Sequence, residues 1–339
     1  MTRIVPVLDL SRLEQGHSES RTFLADLRSA ARDVGFFYLS GHGITEDEIA
    51  DVLAASRQFF ALPEADKLAI EMVNSSQFRG YTRAGGELTK GKADWREQLD
   101  IGVEREAIPQ SPDTPAWTRL QGPNQWPGQL PSLKPALLAW QAKATAVAIR
   151  LLKAFAVALE QPEDAFDPIY RESPNHRMKI VRYPGRDATG DGQGVGAHKD
   201  GGFLTLLLQD ENKGLQVEYD GHWVDVDPIP GTLVVNIGEL LELASNGYLR
   251  ATVHRVITPP ASVERISVPF FFSARLDATI PLLTLPEELA GEAQGPASDP
   301  DNPLFRDVGT NVLKSRLRSH PDVARRHYAD LLDTTLAPT

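Results

Sequence analysis

Two histidines and one aspartate are the residues of this chain whose types and spacing could do chemistry. His198 and Asp200 lie two residues apart in the segment Gly196–Asp200, and His254 follows 54 residues after Asp200. Two imidazoles and one carboxylate can occupy one face of a six-coordinate metal ion and leave the other positions open, a ligand set typical of non-haem Fe(II). Such a site needs neutral imidazoles and an ionised carboxylate, and both forms are available at pH 7.

A second group, Arg265, Ser267 and Tyr183, could bind a carboxylate. Arg265 and Ser267 lie two residues apart and share one face if the segment is a strand. An arginine grips a carboxylate through two parallel hydrogen bonds, and the serine hydroxyl and the Tyr183 phenol can donate others. The group suits the distal carboxylate of a dicarboxylic keto acid whose other end chelates the metal. The alternative is that Arg265 pairs with an internal Asp or Glu and that Ser267 is an ordinary strand residue.

The metal hypothesis depends on the combination of these residues. A lone His-x-Asp is most often a loop histidine followed by a turn or capping aspartate, so His254 and the Arg-x-Ser after it are what favour a metal site. His42 lies between glycines in a turn, where we expect it to bond to the backbone, and we expect His222 to be exposed. The other histidines lack a carboxylate at strand spacing or belong to the tail, and they are His17, His176, His320 and His327.

The segment from about residue 176 to 274 must position these side chains, and its pattern predicts strands. Short apolar and β-branched runs alternate with turn residues, and Asp220-Gly221 predicts a two-residue hairpin turn because glycine tolerates a positive φ. About seven or eight short strands in roughly 100 residues favour a double-sheet jelly roll. The predicted strands are Met178–Tyr183, Phe203–Gln209, Leu215–Tyr219, His222–Val226, Thr232–Ile237, Ala251–Ile257 and Arg265–Ser273.

The rest of the chain predicts mainly helices and loops around this β segment. Apolar residues at helical spacing predict helices, and a Thr45/Glu48 capping box marks the start of one of them. Residues 75–134 are rich in Gly, Pro, Ser and Gln, which predicts long loops with a few short elements over a site. The predicted helices are 21–34, 45–61, 135–160 and two in 306–332 broken at Pro321, and the predicted early strands are Val5–Leu10 and Phe36–Leu39.

Composition narrows the classes of partner. The chain has 339 residues, no cysteine and a net charge of −11. An acidic balance argues against a nucleic-acid or anionic-membrane partner, and the absence of cysteine excludes disulfides and thiolate metal sites. We see no secretory segment at the N-terminus and no run near the ~20 apolar residues that span a bilayer. We therefore expect a cytoplasmic protein, a monomer or weak homo-oligomer, that acts on a small molecule.

These residues, taken together, resemble a known family. The chain is similar to the isopenicillin N synthase-like Fe(II)/2-oxoglutarate-dependent oxygenases over nearly its whole length. In the N-terminal part the resemblance lies in Gly35-Phe36-Phe37, Gly41-His42-Gly43-Ile44, Gly80-Tyr81 and Asp94-Trp95-Arg96-Glu97. In the β segment it lies in the run from His198 to Asp210, Gly214-Leu215-Gln216-Val217, Pro228-Ile229-Pro230-Gly231, Val235-Asn236-Ile237-Gly238-Glu239, Ser245-Asn246-Gly247 and His254-Arg255-Val256.

The resemblance implies a fold, a ligand set and a reaction. The fold is mainly β with flanking helices around a double-stranded β-helix, which is a jelly roll. The resemblance implies Fe(II) at His198, Asp200 and His254, and the 2-oxoglutarate cosubstrate at Tyr183, Arg265 and Ser267. The reaction couples O2-dependent decarboxylation of 2-oxoglutarate to hydroxylation, desaturation or cyclisation of a small molecule. The chain divides into an N-terminal region with pocket-covering loops (1–134), a long helix with the jelly-roll core (135–276) and a helical tail (277–339).

Two alternatives and the substrate stay open at this point. A same-fold iron oxidase that does not use 2-oxoglutarate would share these residues, and so would a non-catalytic binder of small molecules. Lys199 between the ligands and Val181 differ from the usual plant members, which argues against plant-type substrates. A surface position for Lys199 is expected at least as much as a contact with the substrate. Of the remaining candidates we expect core positions for Phe203, Phe270 and Phe272, whereas the loop side chains Arg79, Tyr81, Arg83 and Arg96 could cover the pocket.

Overall fold

The computed structural model describes residues 4–172, 174–186, 192–297, 299 and 302–335. The strands of these residues are β1 (Val7–Asp9), β2 (Phe36–Ser40), β3 (Gly80–Thr82), β4 (Leu88–Thr89), β5 (Lys92–Ala93), β6 (Glu97–Gly102), β7 (Asn175–Pro184), β8 (Gln193–His198), β9 (Leu204–Gln209), β10 (Leu215–Tyr219), β11 (His222–Asp225), β12 (Leu233–Ile237), β13 (His254–Ile257) and β14 (Glu264–Ser273). The helices are α1 (His17–Asp33), α2 (Glu46–Phe60), α3 (Glu64–Leu68), α4 (Leu133–Ala158), α5 (Asp167–Tyr170), α6 (Glu239–Ala244), α7 (Glu287–Glu292), α8 (Val308–Ser319), α9 (Pro321–His327) and α10 (Ala329–Thr335).

The strands form a jelly roll of two sheets. The major sheet has eight strands in the order β1-β2-β12-β9-β14-β7-β6-β3, and the minor sheet has four in the order β11-β10-β13-β8. Strands β4 and β5 form a separate hairpin. The predicted fold class, a mainly β jelly roll with flanking helices, is confirmed.

Alternation along the major sheet creates two apolar cores. Successive side chains of a strand point to opposite faces, so Val234 of β12 packs between the two sheets while its neighbour Val235 packs under the helices. Every residue of β12 is buried as a result. The core between the sheets is the smaller one and lines the interior in which the candidate ligands lie.

The helices cover the outer face of the major sheet. The 26-residue helix α4 buries Leu137, Trp140, Leu151 and Phe155 against that face and also contacts α1 and α2. The predicted capping box is present at the start of α2, where Thr45 Oγ1 accepts from the Glu48 backbone N–H and the Glu48 carboxylate accepts from the Thr45 N–H. None of the described helices is both long and apolar enough to cross a bilayer.

The seven strands predicted for the β segment agree with the structure to within a few residues, but β8 (Gln193–His198) was not predicted. The largest differences are at β7, which begins at Asn175 instead of Met178, and at β13, which begins at His254 instead of Ala251. The hairpin turn between β10 and β11 is as predicted, with positive φ at Asp220 (48°) and Gly221 (75°).

Two regions contain more structure than the sequence predicted. Residues 75–134 include β6, a fully buried six-residue strand that pairs with β7 and extends the major sheet. The tail breaks at Pro321 as predicted, but it continues into a third helix, α10. In both cases the segment carries many polar side chains, whose partners elsewhere in the chain are not visible in the local pattern.

Candidate metal and cosubstrate site

The register of the minor sheet brings the two candidate histidines together. His198 is the last residue of β8 and His254 is the first residue of β13, and the two are direct cross-strand partners. Their ring centroids lie 4.3 Å apart. Strand pairing therefore brings together two histidines that lie far apart in the sequence.

Asp200 reaches the same point from outside the strand. Strand β8 ends at His198, so Asp200 lies two residues beyond the end of the strand. The backbone carbonyl of Asp200 instead accepts a hydrogen bond from Glu239 N (2.7 Å). Its Oδ2 accepts from Thr205 Oγ1 (2.6 Å) and Asn236 Nδ2 (2.9 Å), which are cross-strand partners on β9 and β12. The major sheet thus holds the carboxylate against the histidines of the minor sheet.

The three side chains present their ligand atoms to one point. Asp200 Oδ1 lies 3.5 Å from His198 Nε2, and Asp200 Oδ2 lies 3.8 Å from His254 Nε2. Each Nδ1 faces a backbone carbonyl two residues earlier, at 2.8 Å for His198 and 3.1 Å for His254. Nδ1–H donation to these carbonyls leaves the Nε2 lone pairs directed at the shared point. Among the described residues, this is the one group of three His, Asp or Glu side chains with ligand atoms this close, all within 4.8 Å.

Burial and mutual charge set the protonation of the three groups. Burial, followed by the neighbouring His198, lowers the pKa of His254 to about 4. Burial alone would raise the pKa of Asp200, but His254 and His198 hold it well below its ordinary value. Burial would likewise lower the pKa of His198, yet its hydrogen bond to Asp200 raises that pKa above the usual one. At pH 7 His254 is therefore neutral and Asp200 ionised, as metal binding requires.

Arg265 is fully buried at the centre of the second candidate group. Its Nη2 donates to Gln209 Oε1 (2.8 Å) and its Nε donates to the Asn212 carbonyl (3.3 Å). The guanidinium lies over the Tyr183 ring, 4.9 Å from the centroid. Its Nη1 is buried without a hydrogen-bond partner in the described part of the chain. An internal ion pair, the alternative weighed for Arg265, is not what these contacts show.

Arg265, Ser267 and Tyr183 share the inner face of the major sheet. Arg265 is the cross-strand partner of Tyr183, and Ser267 lies between Val181 and Gln209 on the neighbouring strands. On β9 the same face carries Thr205 beside Asp200 and Gln209 beside Arg265, four residues or about 13 Å apart at roughly 3.3 Å per residue. The candidate metal ligands and the candidate carboxylate anchor therefore line one interior.

The remaining residues considered near the ligands have other partners. The Lys199 Nζ lies 3.4 Å from both carboxylate oxygens of Glu242, so it forms an ion pair. Phe203, Phe270 and Phe272 belong to the core under the helices, as expected. His42 is buried and contacts the Gly231 carbonyl and the Ile44 N–H, as expected for a histidine that bonds to the backbone.

The loop side chains expected over the pocket differ in their burial and in their bonding partners. Arg83 is exposed and pairs with Glu71, and the Tyr81 hydroxyl bonds to Glu97. Arg96 is half-buried and forms ion pairs with Glu87 and Asp94. Arg79 is buried, but its guanidinium has no hydrogen-bond or ion-pair partner among the described residues.

Sequence reasoning missed two residues on the inner face of the major sheet. Arg177 of β7 and the half-buried Phe271 of β14 are cross-strand partners there, and the Arg177 guanidinium lies 5.5 Å from the Phe271 ring centroid. The alternation that links Tyr183 to Val181 also reaches Arg177, so the signal was present in the sequence. It went unused because the predicted strand began at Met178.

Comparisons with known proteins agree with this geometry. Residues 174–274 match the 2OG-Fe(II) oxygenase superfamily, and residues 5–129 match the family described as non-haem dioxygenase in morphine synthesis N-terminal. The 2-oxoglutarate-dependent dioxygenase frbJ of Dothideomycetidae sp. is 38% identical to this chain, over 97% of the chain and 93% of its own length. The chain belongs to the 2OG-Fe(II) oxygenase superfamily.

Other members of the superfamily are similar to the chain over most of their length. A homoarginine-6-hydroxylase of Arabidopsis thaliana is 36% identical over 81% of this chain and 86% of its own. A putative 2OG-Fe(II) oxygenase from Caulobacter crescentus has a TM-score of 0.73 and 29% identity over 94% of this chain and 99% of its own. A full-length Neurospora crassa protein, crystallised in complex with alpha-KG, has a TM-score of 0.72 and 27% identity over 84% of this chain and 90% of its own.

Membership of the superfamily establishes the class of enzyme. The chain is an oxidoreductase of the class that uses Fe(II), 2-oxoglutarate and O2, as the sequence predicted. The donor set in the interior fits this class, because two imidazole nitrogens and a carboxylate converge there and a buried guanidinium retains an unused donor.

Proposed function

We propose that His198, Asp200 and His254 bind the catalytic Fe(II) and that Tyr183, Arg265 and Ser267 bind the distal carboxylate of 2-oxoglutarate. The observation that carries this assignment is the convergence of the three ligand atoms within 4.8 Å of one another. When bound, Fe(II) and 2-oxoglutarate supply the oxidising power by coupling decarboxylation of the keto acid to activation of O2.

The surroundings of the ligands hold them in position for this chemistry. Backbone carbonyls fix both Nδ1 atoms, so the Nε2 atoms are free to ligate. Thr205 and Asn236 hold Asp200 Oδ2, which leaves Oδ1 as the oxygen free of side-chain donors apart from the nearby imidazole. Such partners orient a ligand before the metal binds, which strengthens binding.

The buried Arg265 supports use of the keto acid. Its Nη1 has no partner among the described residues, and the sheets around it contribute apolar side chains such as Val195, Val217 and Val256. A carboxylate at this position would satisfy the free donor in a dry environment, where a charged hydrogen bond is strong. An iron oxidase that does not use 2-oxoglutarate would leave this arginine buried with a donor unused.

The substrate of the proposed reaction is a small organic molecule, and the outcome that we propose is hydroxylation. The Arabidopsis thaliana relative is named for a hydroxylation, that of homoarginine. Hydroxylation also demands least of the protein, since the substrate needs to lose only one hydrogen at the carbon nearest the metal.

Metal and cosubstrate binding by two variants test the assignment. In anaerobic calorimetric titrations with Mn(II) and then 2-oxoglutarate, Asp200→Ala should lose stoichiometric metal binding. Arg265→Ala should keep the metal but bind 2-oxoglutarate roughly 10- to 100-fold more weakly, because charged hydrogen bonds are lost. Arg255→Ala is the matched control, since Arg255 bonds to Gln216 and stacks on Trp223. Unchanged metal affinity in the first variant, or unchanged 2-oxoglutarate affinity in the second, would overturn the corresponding role.

A further inference from the structure

A cluster of buried and half-buried charged side chains lies beside the candidate metal site. Asp94 Oδ1 accepts a hydrogen bond from Gly196 N (3.0 Å), two residues before His198, and Asp94 Oδ2 lies 3.2 Å from Arg96. From there the cluster follows the inner face of β6 and β7 to helix α8. Its members, which we call the charged cluster, are the cations Arg79, Arg96, Arg177, Lys179 and Arg316 and the carboxylates Glu87, Asp94 and Asp100.

Each carboxylate of the charged cluster already forms an ion pair with a cation of the cluster. Glu87 lies 2.7 Å from Lys179 Nζ and 2.8 Å from Arg96 Nη2. Asp100 lies 3.3 Å from Arg316 Nη2 and 3.6 Å from Lys179 Nζ. Asp94 forms an ion pair with Arg96. Five cations against three carboxylates leave two positive charges without a contacting anion, and these are the two remaining arginines.

Arg79 and Arg177 are the cations without a partner. Neither guanidinium forms a hydrogen bond or ion pair with any residue that the structure describes, and Arg79 is only 5% exposed, with its Nε buried. Burial, followed by the charge of Arg316, lowers the pKa of Arg79 to about 10 and that of Arg177 to about 9, so both are charged at pH 7. Arg177 is half-buried. A charge that is wholly or partly removed from water and has no counter-ion destabilises a folded protein, which points to a ligand that supplies the negative charge.

The fold brings the two guanidinium groups to one place. Both line the same small cavity, together with Arg316 and Asn175. The Arg79 guanidinium packs on Gly102, where an added Cβ would lie 2.2 Å from Nη2. Gly102 is also the cross-strand partner of Arg177. The missing side chain at residue 102 therefore lets Arg79 lie next to Arg177.

The distance from this cavity to the metal ligands suits a small molecule. Arg177, Phe271 and Thr205 are successive cross-strand neighbours on β7, β14 and β9, and Thr205 bonds to Asp200. Two strand spacings place the Arg177 and Thr205 Cα atoms about 10 Å apart. Phe271 lies between them as a half-buried apolar surface.

We propose that Arg79 and Arg177 bind an oxyanion of the substrate, a carboxylate or a phosphorus oxyacid, while the carbon to be oxidised lies at the other end of the molecule, beyond Phe271. The substrate is then a small organic acid. This inference rests on the proposed function, because an acid held there is oxidised only if the metal binds at His198, Asp200 and His254.

The first test uses the stability of the ligand-free protein and does not involve the metal. Arg177→Met should raise the midpoint of thermal unfolding, by roughly 2 °C or more, because it replaces a half-buried charge that has no counter-ion with an apolar side chain of similar size. Arg96→Met should lower the midpoint, since it removes the cation that pairs with Asp94 and one of the two that pair with Glu87. Arg150→Met, at an exposed ion pair with Glu14, is the control and should change the midpoint little. A lower midpoint in Arg177→Met would show that Arg177 is a structural cation and would overturn the proposal.

The second test uses acetate, methylphosphonate and acetamide, which carry the same methyl group on different head groups. With saturating Mn(II) and 2-oxoglutarate, acetate or methylphosphonate should bind in the millimolar range, with Mn(II)-enhanced relaxation of the methyl protons, and acetamide should not bind. Arg177→Gln and Arg79→Gln should each weaken anion binding at least tenfold, whereas Arg150→Gln should not. The tighter of the two anions identifies the type of oxyacid.

The outcomes separate this proposal from the assignment of the metal site. If Mn(II) does not bind but the two anions still raise the thermal midpoint of wild type and not of the Arg177 and Arg79 variants, the anion site stands and the metal assignment fails. If neither anion binds to wild type, or if binding persists unchanged in both arginine variants, the oxyanion site is wrong, whatever the metal does.

Discussion

At the scale of single residues, the site is organised by what holds the ligands in place. The Asp200 carboxylate lies outside the strand that ends at His198, and its position depends on Thr205 and Asn236 of the opposite sheet. The two histidines need no such help, because strand pairing makes them neighbours.

A substitution at Thr205 tests this dependence. Thr205→Val keeps the shape of the side chain and removes the 2.6 Å hydrogen bond to Asp200 Oδ2. We expect affinity for Mn(II), measured by calorimetry, to fall about tenfold, the lower end of the range for partners of metal ligands. Thr258→Val, at a threonine with a buried hydroxyl in the loop after β13, is the matched control. Equal metal affinity in Thr205→Val and wild type would show that Asn236 alone positions Asp200.

The sequence predicted the candidate ligands but not the charged groups beside them. The two histidines, Asp200 and Arg-x-Ser are few, chemically specific and fixed in order, so their types and spacing point to one site. An arginine is usually a surface residue, and although strand alternation places Arg177 on the inner face of the sheet, no local pattern shows that it lacks an ion-pair partner. Arg177 lacks a partner because Glu87 and Asp100 form their ion pairs with other cations, which are distant in the sequence.

At the scale of elements, local signals are reliable where the element is stabilised locally. The α2 capping box and the β10–β11 hairpin turn depend on residues within a few positions of each other, and both are present as predicted. Strand β6, Glu-Gln-Leu-Asp-Ile-Gly, was not predicted, because its acidic residues argue against a buried strand. They are buried with the partners Lys67, Lys179 and Arg316, which lie far away in sequence.

The capping box gives a prediction at this scale. Thr45→Ala removes the acceptor for the Glu48 N–H at the start of α2. The free energy of unfolding should fall by about 1 kcal/mol in urea denaturation. Thr22→Ala is the control: Thr22 is exposed within α1, so its replacement should be neutral or slightly stabilising. The account of α2 fails if the two variants lose equal stability.

At the scale of the whole molecule, the charge is distributed unevenly between surface and interior. The chain carries a net charge of −11, yet the charged cluster inside it has more cations than carboxylates. His176, on the other face of β7, packs on Phe270 near this excess of positive charge. Burial, followed by the charges of Arg79 and Arg105, lowers the pKa of His176 to about 4.

This lowered pKa predicts a loss of stability in mild acid. His176 stays neutral in the folded chain down to pH about 4, whereas the unfolded chain takes up the proton near pH 6.5. Stability is therefore lost as the pH falls below 6.5, and by pH 5 the loss from this residue is at most about 2 kcal/mol. In urea denaturation from pH 7 to 5, His176→Asn should lose less stability than wild type, whereas the exposed-site control His222→Asn should follow wild type. Identical pH profiles for His176→Asn and wild type would refute the assignment.

An anaerobic titration of the Fe(II)-loaded protein with 2-oxoglutarate tests whether His198, Asp200 and His254 bind the iron. The keto acid can give a weak visible charge-transfer band only by chelating protein-bound iron. We predict a band that saturates at one equivalent in wild type, is absent in Asp200→Ala and requires a higher 2-oxoglutarate concentration in Arg265→Ala. No band in wild type, or an unchanged band in Asp200→Ala, would contradict the assignment of the iron ligands.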